Sequence, residues 1–216
     1  MDDGRGGYYK SMVGYLAPYM TPTYAVTSGI ERGLTYRFRY RANNCKGWGP
    51  FSDELYILAA QKPSAPGAPQ RIDSSSTEIS LKLFPSTENG GTPVSDYELW
   101  RNDGSDGSSF VIVKGYNYLS NGFIVTVNSA AETMVAGRFY QFIFRSKNLL
   151  DYSDFSGPVA FGIADKPAKP SAPYEIHQGQ VQKKAITIKW TPNYNTQVPA
   201  GSITGYYAFM DDGLNG

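Results

Sequence analysis

Short runs along this chain alternate apolar and polar residues with a period of two. Ile79, Leu81 and Leu83 alternate with Glu78, Ser80 and Lys82. Tyr97 and Leu99 flank Glu98, and Tyr140, Phe142 and Phe144 recur at every second position. This is the pattern of strands that bury one face. Turn chemistry separates the runs, at Glu88-Asn-Gly-Gly-Thr-Pro93, Asn102-Asp-Gly104, Ser120-Asn-Gly122 and Gly157-Pro158. One stretch, Ser129–Val135, reads as a short helix. Many short strands in a unit of about 100 residues predict an all-β sandwich.

The unit repeats. Met-Asp-Asp-Gly occurs at Met1–Gly4 and again at Met210–Gly213, and Lys-Pro-Ser-Ala-Pro at Lys62–Pro66 and Lys169–Pro173. Tyr36, Phe38, Tyr40 and Asn44 fall on Tyr140, Phe142, Phe144 and Asn148, and Phe51-Ser52 on Phe155-Ser156. Ile79–Pro85 matches Ile186–Pro192, and Tyr97 matches Tyr206. The offset is 209 residues, two periods, for Met-Asp-Asp-Gly and 104 to 109 residues for the other pairs, with the drift expected of loops of unequal length. The chain reads as a two-period window of a tandem array.

At these residues the chain resembles fibronectin type III modules. A Pro-rich entry, Lys62-Pro-Ser-Ala-Pro66, precedes the first strand. Trp190 stands where that family has its strand B tryptophan, and Tyr97 and Tyr206 where it has its strand C tyrosine. Ile30-x-x-Gly33-x-x-Tyr36 and Met134-x-x-Gly137-x-x-Tyr140 resemble its E–F corner and tyrosine. The stretch from Arg41 to Asp53 resembles the end of strand F, the F–G loop and the start of strand G. Two departures are present: Leu83 replaces the strand B tryptophan in the middle unit, and the F–G loop of that unit lacks the Gly47-Trp48-Gly49 pattern. The resemblance implies immunoglobulin-like β-sandwich modules in tandem, with Tyr36, Tyr97, Tyr140, Trp190 and Tyr206 as fold-defining core residues.

The boundaries that follow are 1–62 for the later strands of one module, 63–166 for a complete module, and 167–216 for the early strands of a third. Half a sandwich leaves its inner face in water and forfeits roughly 25 cal/mol for each apolar Å² left uncovered. Two resolutions are open. The chain continues beyond both ends, or the early strands of one molecule complete the late strands of the next, head to tail, which would build a filament.

Composition narrows the function. The chain is 41% hydrophobic and 18% charged, with 17 Tyr, 23 Gly and 14 Pro, as expected of a turn-rich β protein. Its formal net charge of +1 supplies no basic excess for a phosphate backbone, so nucleic acid is not an expected partner. No apolar run approaches about 18 residues, so membrane insertion is not expected, and the polar, Gly-rich start does not read as a signal peptide. A single cysteine, Cys45, excludes an internal disulfide, and no Asn-x-Ser/Thr acceptor is present.

Chemistry is sparse. His177 is the sole histidine, so any Ser-His-Asp or Cys-His arrangement would have to use it. Cys45 reads as a small partly buried residue or a free thiol. Asp103–Ser109 has oxygen donors at close spacing but lacks a later bidentate glutamate, and Asx and Gly residues suit the hairpin turn expected there. We therefore expect no catalytic residue, no cofactor and no metal. One segment stands out instead. Tyr8 to Tyr24 holds five tyrosines and two methionines in 17 residues. Tyrosine covers a large contact area at low entropic cost. Tyr8, Tyr9, Tyr15 and Tyr19 are candidate protein contacts, with Trp48 at a loop tip and Trp100 on the strand face opposite Tyr97.

The expectation is a non-enzymatic structural or adhesive segment of a large multi-module scaffold. Its Pro-rich linkers, Lys62–Pro69 and Lys166–Pro173, would hold the joints extended and semi-stiff. Its partners would be other proteins, neighbouring modules or subunits of the same assembly. The resemblance fits an extracellular or cell-surface setting, or a cytoskeletal or ciliary one. Two alternatives stand beside it: a head-to-tail filament subunit, and spacer modules of a secreted multi-domain enzyme.

Overall fold

The structure is a computed structural model that describes residues 1–105, 109–175, 186–193 and 199–211. The N-terminal region carries β1 (Thr35–Phe38), β2 (Asn43–Asn44), β3 (Gly47–Trp48) and β4 (Leu55–Leu58). The middle region carries β5 (Gln70–Ser74), β6 (Glu78–Lys82), β7 (Asp96–Asn102) and β8 (Phe110–Ile112). A single-turn helix α1 (Tyr118–Asn121), β9 (Ile124–Asn128), β10 (Phe139–Lys147) and β11 (Val159–Gly162) complete it. The C-terminal region carries β12 (Tyr174–Glu175), β13 (Ile188–Lys189) and a 3-10 turn at Pro199–Gly201.

The middle region has two antiparallel sheets, in the orders β5-β6-β9 and β11-β10-β7-β8. Of the residues picked out by the period-two pattern, Ile79 and Leu81 from β6, Leu99 from β7, and Tyr140 and Phe142 from β10 are buried, and Val125 and Val127 from β9 are buried with them. Polar residues alternate with them, and Ser80 and Thr126 bond across the outer face of β6 and β9 at 2.9 Å. The structure is thus all-β and sandwich-like.

Secondary structure departs from expectation at one turn. Residues 129–133 form turns, and 134 and 135 are irregular, where a helix is expected. Asn128 Oδ1 accepts from the Ala130 and Ala131 amides (3.0 and 3.1 Å), and Thr133 takes φ +53, which ends any helical run. The helical turn falls earlier, at α1, where Asn117 Oδ1 caps the Leu119 amide at 2.9 Å and Gly122 closes it with φ +58.

The described residues cluster into two compact units. The first is Met1–Gly67 with Phe84–Glu98 and Phe144–Gly157; the second is Ala68–Leu83 with Leu99–Ile143 and Pro158–Gly216. In the first, β1 pairs with β4 in the register Tyr36↔Ile57. In the second, β10 pairs with β11 in the matching register Tyr140↔Phe161. Each strand carries the same corner. The Tyr36 hydroxyl accepts from the Glu31 amide at 2.7 Å, and the Tyr140 hydroxyl accepts from the Val135 amide at 2.7 Å.

The Asx-Asp-Gly turns sit on these tyrosines. Asp2 Oδ1 accepts from the Arg37 amide (2.9 Å), and Asn102 Oδ1 accepts from the Gln141 amide (2.8 Å). A Cβ on Gly4 would lie 3.1 Å from the Tyr36 ring, and one on Gly104 would lie 2.5 Å from the Tyr140 ring. Both glycines also hold positive φ, so the motif needs glycine twice over. Asp2-Asp3-Gly4 and Asn102-Asp103-Gly104 are therefore one structural part built twice: an Asx that satisfies the central strand's amide and a glycine that lets the tyrosine ring pack beneath the turn.

Of the expected core residues, Tyr36, Tyr97 and Tyr140 are buried, with the Tyr97 ring stacked 5.2 Å from Phe144. Trp190 is half-buried 6.0 Å from Tyr206, which is exposed. The C-terminal strands have no second sheet over them among the described residues, so both rings meet solvent.

The middle region also buries a charge pair. Arg101 and Glu132 are nearly inaccessible, with Nε 3.6 Å from Oε2 and the Arg101 Nη2 donating to the Glu132 carbonyl. Glu132 Oε1 also accepts from the Gly115 amide at 3.1 Å. Removing one partner of such a pair leaves an uncompensated buried charge. We expect Glu132→Ala to lower unfolding free energy by about 3–5 kcal/mol in urea titrations; a loss below about 1 kcal/mol would show the pair to be dispensable.

Asp2 gives a second test. The Arg37 amide and guanidinium (Nε–Oδ2 2.8 Å) hold its carboxyl down at about 2. A depressed carboxyl stabilises the fold above its unfolded value, near 3.8, and that contribution disappears as pH falls towards 2. The Arg37 amide resonance should therefore titrate with a midpoint near 2; a midpoint near 4 would break the assignment.

Candidate interaction surface

The outward positions of β1 and the chain beyond it are Arg37, Arg39 and Arg41, which alternate with the core-pattern residues Tyr36, Phe38 and Tyr40. Aromatic rings interleave with these guanidinium groups. Arg37 lies 5.1 Å and Arg39 4.0 Å from the Tyr9 ring. Arg39 and Arg41 lie 4.2 and 4.6 Å from Phe51, and Arg41 lies 4.7 Å from Trp48. The result is an exposed ladder in the order Tyr9, Arg39, Phe51, Arg41, Trp48. Each rung is a cation–π contact of about 0.5–1 kcal/mol at an exposed site. Stacking fixes the long arginine side chains, so the ladder presents ordered N–H edges to whatever approaches.

Glu54 anchors one end. It accepts from the Tyr9 hydroxyl at 2.5 Å and the Tyr56 hydroxyl at 2.9 Å, with Arg37 Nη1 at 3.9 Å. These hydroxyls hold the Glu54 carboxyl below its ordinary value. Burial and the bond to Glu54 push the Tyr9 phenol up, and the bond to Glu54 raises Tyr56. Among the described residues Arg39 and Arg41 have no carboxylate within ion-pair distance.

The middle region carries a shorter version. Arg145 stacks on Tyr152 (4.0 Å) and Phe155 (4.7 Å), and Lys147 lies 4.7 Å from Tyr152. Here Glu98 neutralises the guanidinium, with Oε2 2.7 Å from Arg145 Nη2. The first ladder is longer and its outer arginines lack such a partner.

The tyrosine-rich segment is only partly drawn into this surface. Tyr9 is half-buried within the ladder. Tyr8 is 95% exposed and Tyr15 is also exposed. Tyr19 packs edge-on against Tyr24 at 5.9 Å and donates to the Thr23 carbonyl at 2.6 Å. Trp48 ends the β2–β3 hairpin ladder, paired with Asn43 and exposed. Trp100 is half-buried on β7 opposite Ile112. The arginines and Phe51 are not among the contacts expected from sequence; three arginines at every second position are the signal that could have found them.

The regions are joined by built contacts. In the first unit the Gln61 amide donates to the Gly90 carbonyl (2.8 Å) and the Ser64 amide to Glu88 (2.9 Å). Asn148 Nδ2 donates to both Gln61 O (2.7 Å) and Asn89 O (2.9 Å), and Lys62 pairs with Asp154 at 2.7 Å. A Cβ on Gly90 would lie 2.1 Å from Gln61 O, and one on Gly33 would lie 3.0 Å from Gly91 O. In the second unit the same corner position recurs: the Ala200 amide donates to the Gly137 carbonyl at 3.0 Å, and Gly162 abuts Ala200.

Among the described residues no group of three or more His, Cys, Asp and Glu converges to hold a metal. Cys45 is exposed in the β2–β3 turn. Asp103 Oδ1 accepts from the Ser105 amide (2.9 Å) and hydroxyl (2.6 Å), a closed Asx turn. His177, Asp212 and Gly213, and residues 106–108 of the Asp103–Ser109 loop, lie outside the described residues.

No family model matches the chain. Among solved structures, it is similar to titin domains A168–A170 at 19% identity and a TM-score of 0.45, covering 63% of this chain and 44% of that one. It is similar to the FN1–FN3 domains of chicken CNTN1 at 20% identity and 0.39, again covering 63% and 44%. The sixth fibronectin type III domain of a human fibronectin type III domain containing protein matches at 21% and 0.40, covering 52% and 95%. The chain spans 18% of the twitchin kinase region from C. elegans, with 20% identity and a TM-score of 0.42. The sheet orders β5-β6-β9 and β11-β10-β7-β8, the twice-built tyrosine corner and the repeating sequence give this chain the fold of tandem fibronectin type III modules.

Proposed function

We propose that this chain is a non-enzymatic structural and adhesive segment of a multi-module scaffold. It sets the spacing between neighbours and offers contact surfaces to other proteins. Its modules divide as 1–62, 63–166 and 167–216. The observation that carries this reading is the first joint. Linker residues 61–64 are hydrogen-bonded into the turns at 88–91 and 148, and Gly90 leaves no room for a side chain between them. A free tether would have its backbone in water; this one is bonded to its neighbour, and Pro63, Pro66 and Pro69 are buried.

The contact surface in this reading is the arginine–aromatic ladder with Tyr9 and Trp48, flanked by Tyr8, Tyr15 and Tyr19. Trp100 would serve a separate face. Aromatic and arginine side chains are the groups most often found at the energetic centre of protein interfaces. An extracellular or cell-surface setting and a cytoskeletal or ciliary one both suit such a segment, and the similar structures come from CNTN1, titin and twitchin.

Backbone 15N relaxation tests the spacer. Residues 35–58 should share one rotational correlation time with residues 84–98 and 144–157. Asn148→Ala combined with Gly90→Val should make residues 35–58 tumble faster than those partners. Independent tumbling already in the unsubstituted chain would overturn the semi-rigid reading.

A further inference from the structure

Two Asn-Gly pairs lie among the described residues, Asn89-Gly90 and Asn121-Gly122; Asn215-Gly216 lies outside them. In such a pair the glycine nitrogen can attack the asparagine side-chain carbonyl, because no Cβ shields it and the ring that closes is small. The two pairs sit in opposite surroundings. The Gly122 amide donates to the Tyr118 carbonyl at 2.9 Å, so the nucleophile is tied into α1. Asn121 Oδ1 accepts from the Asn117 amide at 2.9 Å, which draws that side chain back toward the preceding turn. The Gly90 amide, by contrast, has no acceptor among the described residues, and Asn89 is exposed to water. Asn89 Oδ1 accepts from the Gly91 amide at 2.9 Å. That bond folds the side chain back across the Gly90 peptide. It also sets a donor on the oxygen where negative charge grows when Cγ is attacked.

We propose that Asn89-Gly90 is a self-modifying site that converts without an enzyme and, in doing so, releases the first joint. The Gly90 nitrogen bonds to Asn89 Cγ, the Cγ–Nδ2 bond breaks, and Nδ2 leaves as ammonia with the proton from Gly90. Water then opens the cyclic imide. Attack at Cγ restores the backbone and leaves aspartate. Attack at the backbone carbonyl carbon routes the chain through Cβ and Cγ and leaves isoaspartate, whose backbone is one carbon longer. The balance is amide plus water to carboxylate plus ammonium, with water the sole co-reactant. The joint has no slack for the longer product. The Asn89 carbonyl that accepts from Asn148 Nδ2 at 2.9 Å becomes part of a free carboxylate. The Gly90 carbonyl accepts from the Gln61 amide at 2.8 Å, and a Cβ on Gly90 would lie 2.1 Å from Gln61 O, so an extra backbone carbon drives Gly90 off the linker. The modification stands on local geometry alone; the release of the joint rests on the spacer reading.

Ageing the folded 216-residue chain at neutral pH and physiological temperature tests it, with both pairs followed by peptide mapping and isoaspartate scored by isoaspartyl methyltransferase labelling. Two hydrogen bonds hold Asn121-Gly122, so Asn89 should convert at least about tenfold faster, with isoaspartate the larger product. In the denatured chain the two should convert at similar rates. Equal rates in the folded chain, or Asn89 left intact, would overturn the proposal. So would a gap that persists on denaturation, since sequence and not these bonds would then set it. The joint is read by 15N relaxation. After ageing, residues 35–58 should tumble independently of residues 84–98 and 144–157. Fresh chain, the Asn89→Asp variant and an aged Asn89→Gln variant should stay coupled. Conversion of Asn89 with the joint still coupled, or loosening of aged Asn89→Gln, would overturn the release. Independent tumbling of the fresh chain would instead sink the spacer reading and leave the chemistry at Asn89 standing.

Discussion

Two of the repeating units each hang on a tyrosine, Tyr36 in β1 and Tyr140 in β10. Tyr140 lies under the Asn102-Asp103-Gly104 turn, takes the Val135 amide on its hydroxyl and fills the core beside Phe142. One side chain thereby ties the end of β7, the corner before β10 and the space between the sheets. Its phenol must find a partner once buried, and a corner amide with no strand partner provides it. Tyr36 repeats the arrangement, with Asp2 in the place of Asn102. The exchange of Asn for Asp brings a guanidinium: Arg37 stands where the middle module has Gln141, and the polar bond becomes a charged one.

The joints use the same corners. Gly33 and Gly137 each sit three residues before a corner tyrosine, and each meets the loop that follows the second strand of the next module. Function of this kind is a matter of geometry. If the corner fixes the glycine and the glycine fixes the next loop, spacing follows from the repeat. Asn148 strengthens the first joint by filling four bonds from one amide: Gln61 O, Asn89 O and the Leu150 and Asp151 amides. The exposed ladder lies on the outer face of the same strand that carries Tyr36, so the corner also sets where the arginines point.

Much of this is legible in the residue pattern alone. Period two marks the buried faces of β6, β7 and β10, because a sheet with one covered side demands it. The repeated Asp-Gly and Tyr positions mark the corner. The helical reading of 129–135 fails because Asn128 competes for the local amides and Thr133 turns the backbone left-handed. Tyrosine count draws attention to Tyr8–Tyr24, yet only Tyr9 joins the ladder; stacking depends on which strand positions face outward together, and that needs β1 and its neighbours in place. Burial of Trp190 and Tyr206 depends on a covering sheet, which composition of the strand itself does not supply.

Site-resolved amide exchange tests the central claim, that the tyrosine corner organises each module. The Val135 and Gln141 amides, held by Tyr140 and Asn102, should exchange only with global opening of the middle module. The Glu31 and Arg37 amides, held by the same parts with no second sheet above them among the described residues, should be protected but less so. Exchange of Val135 and Gln141 at the rate of the exposed turns would contradict the account.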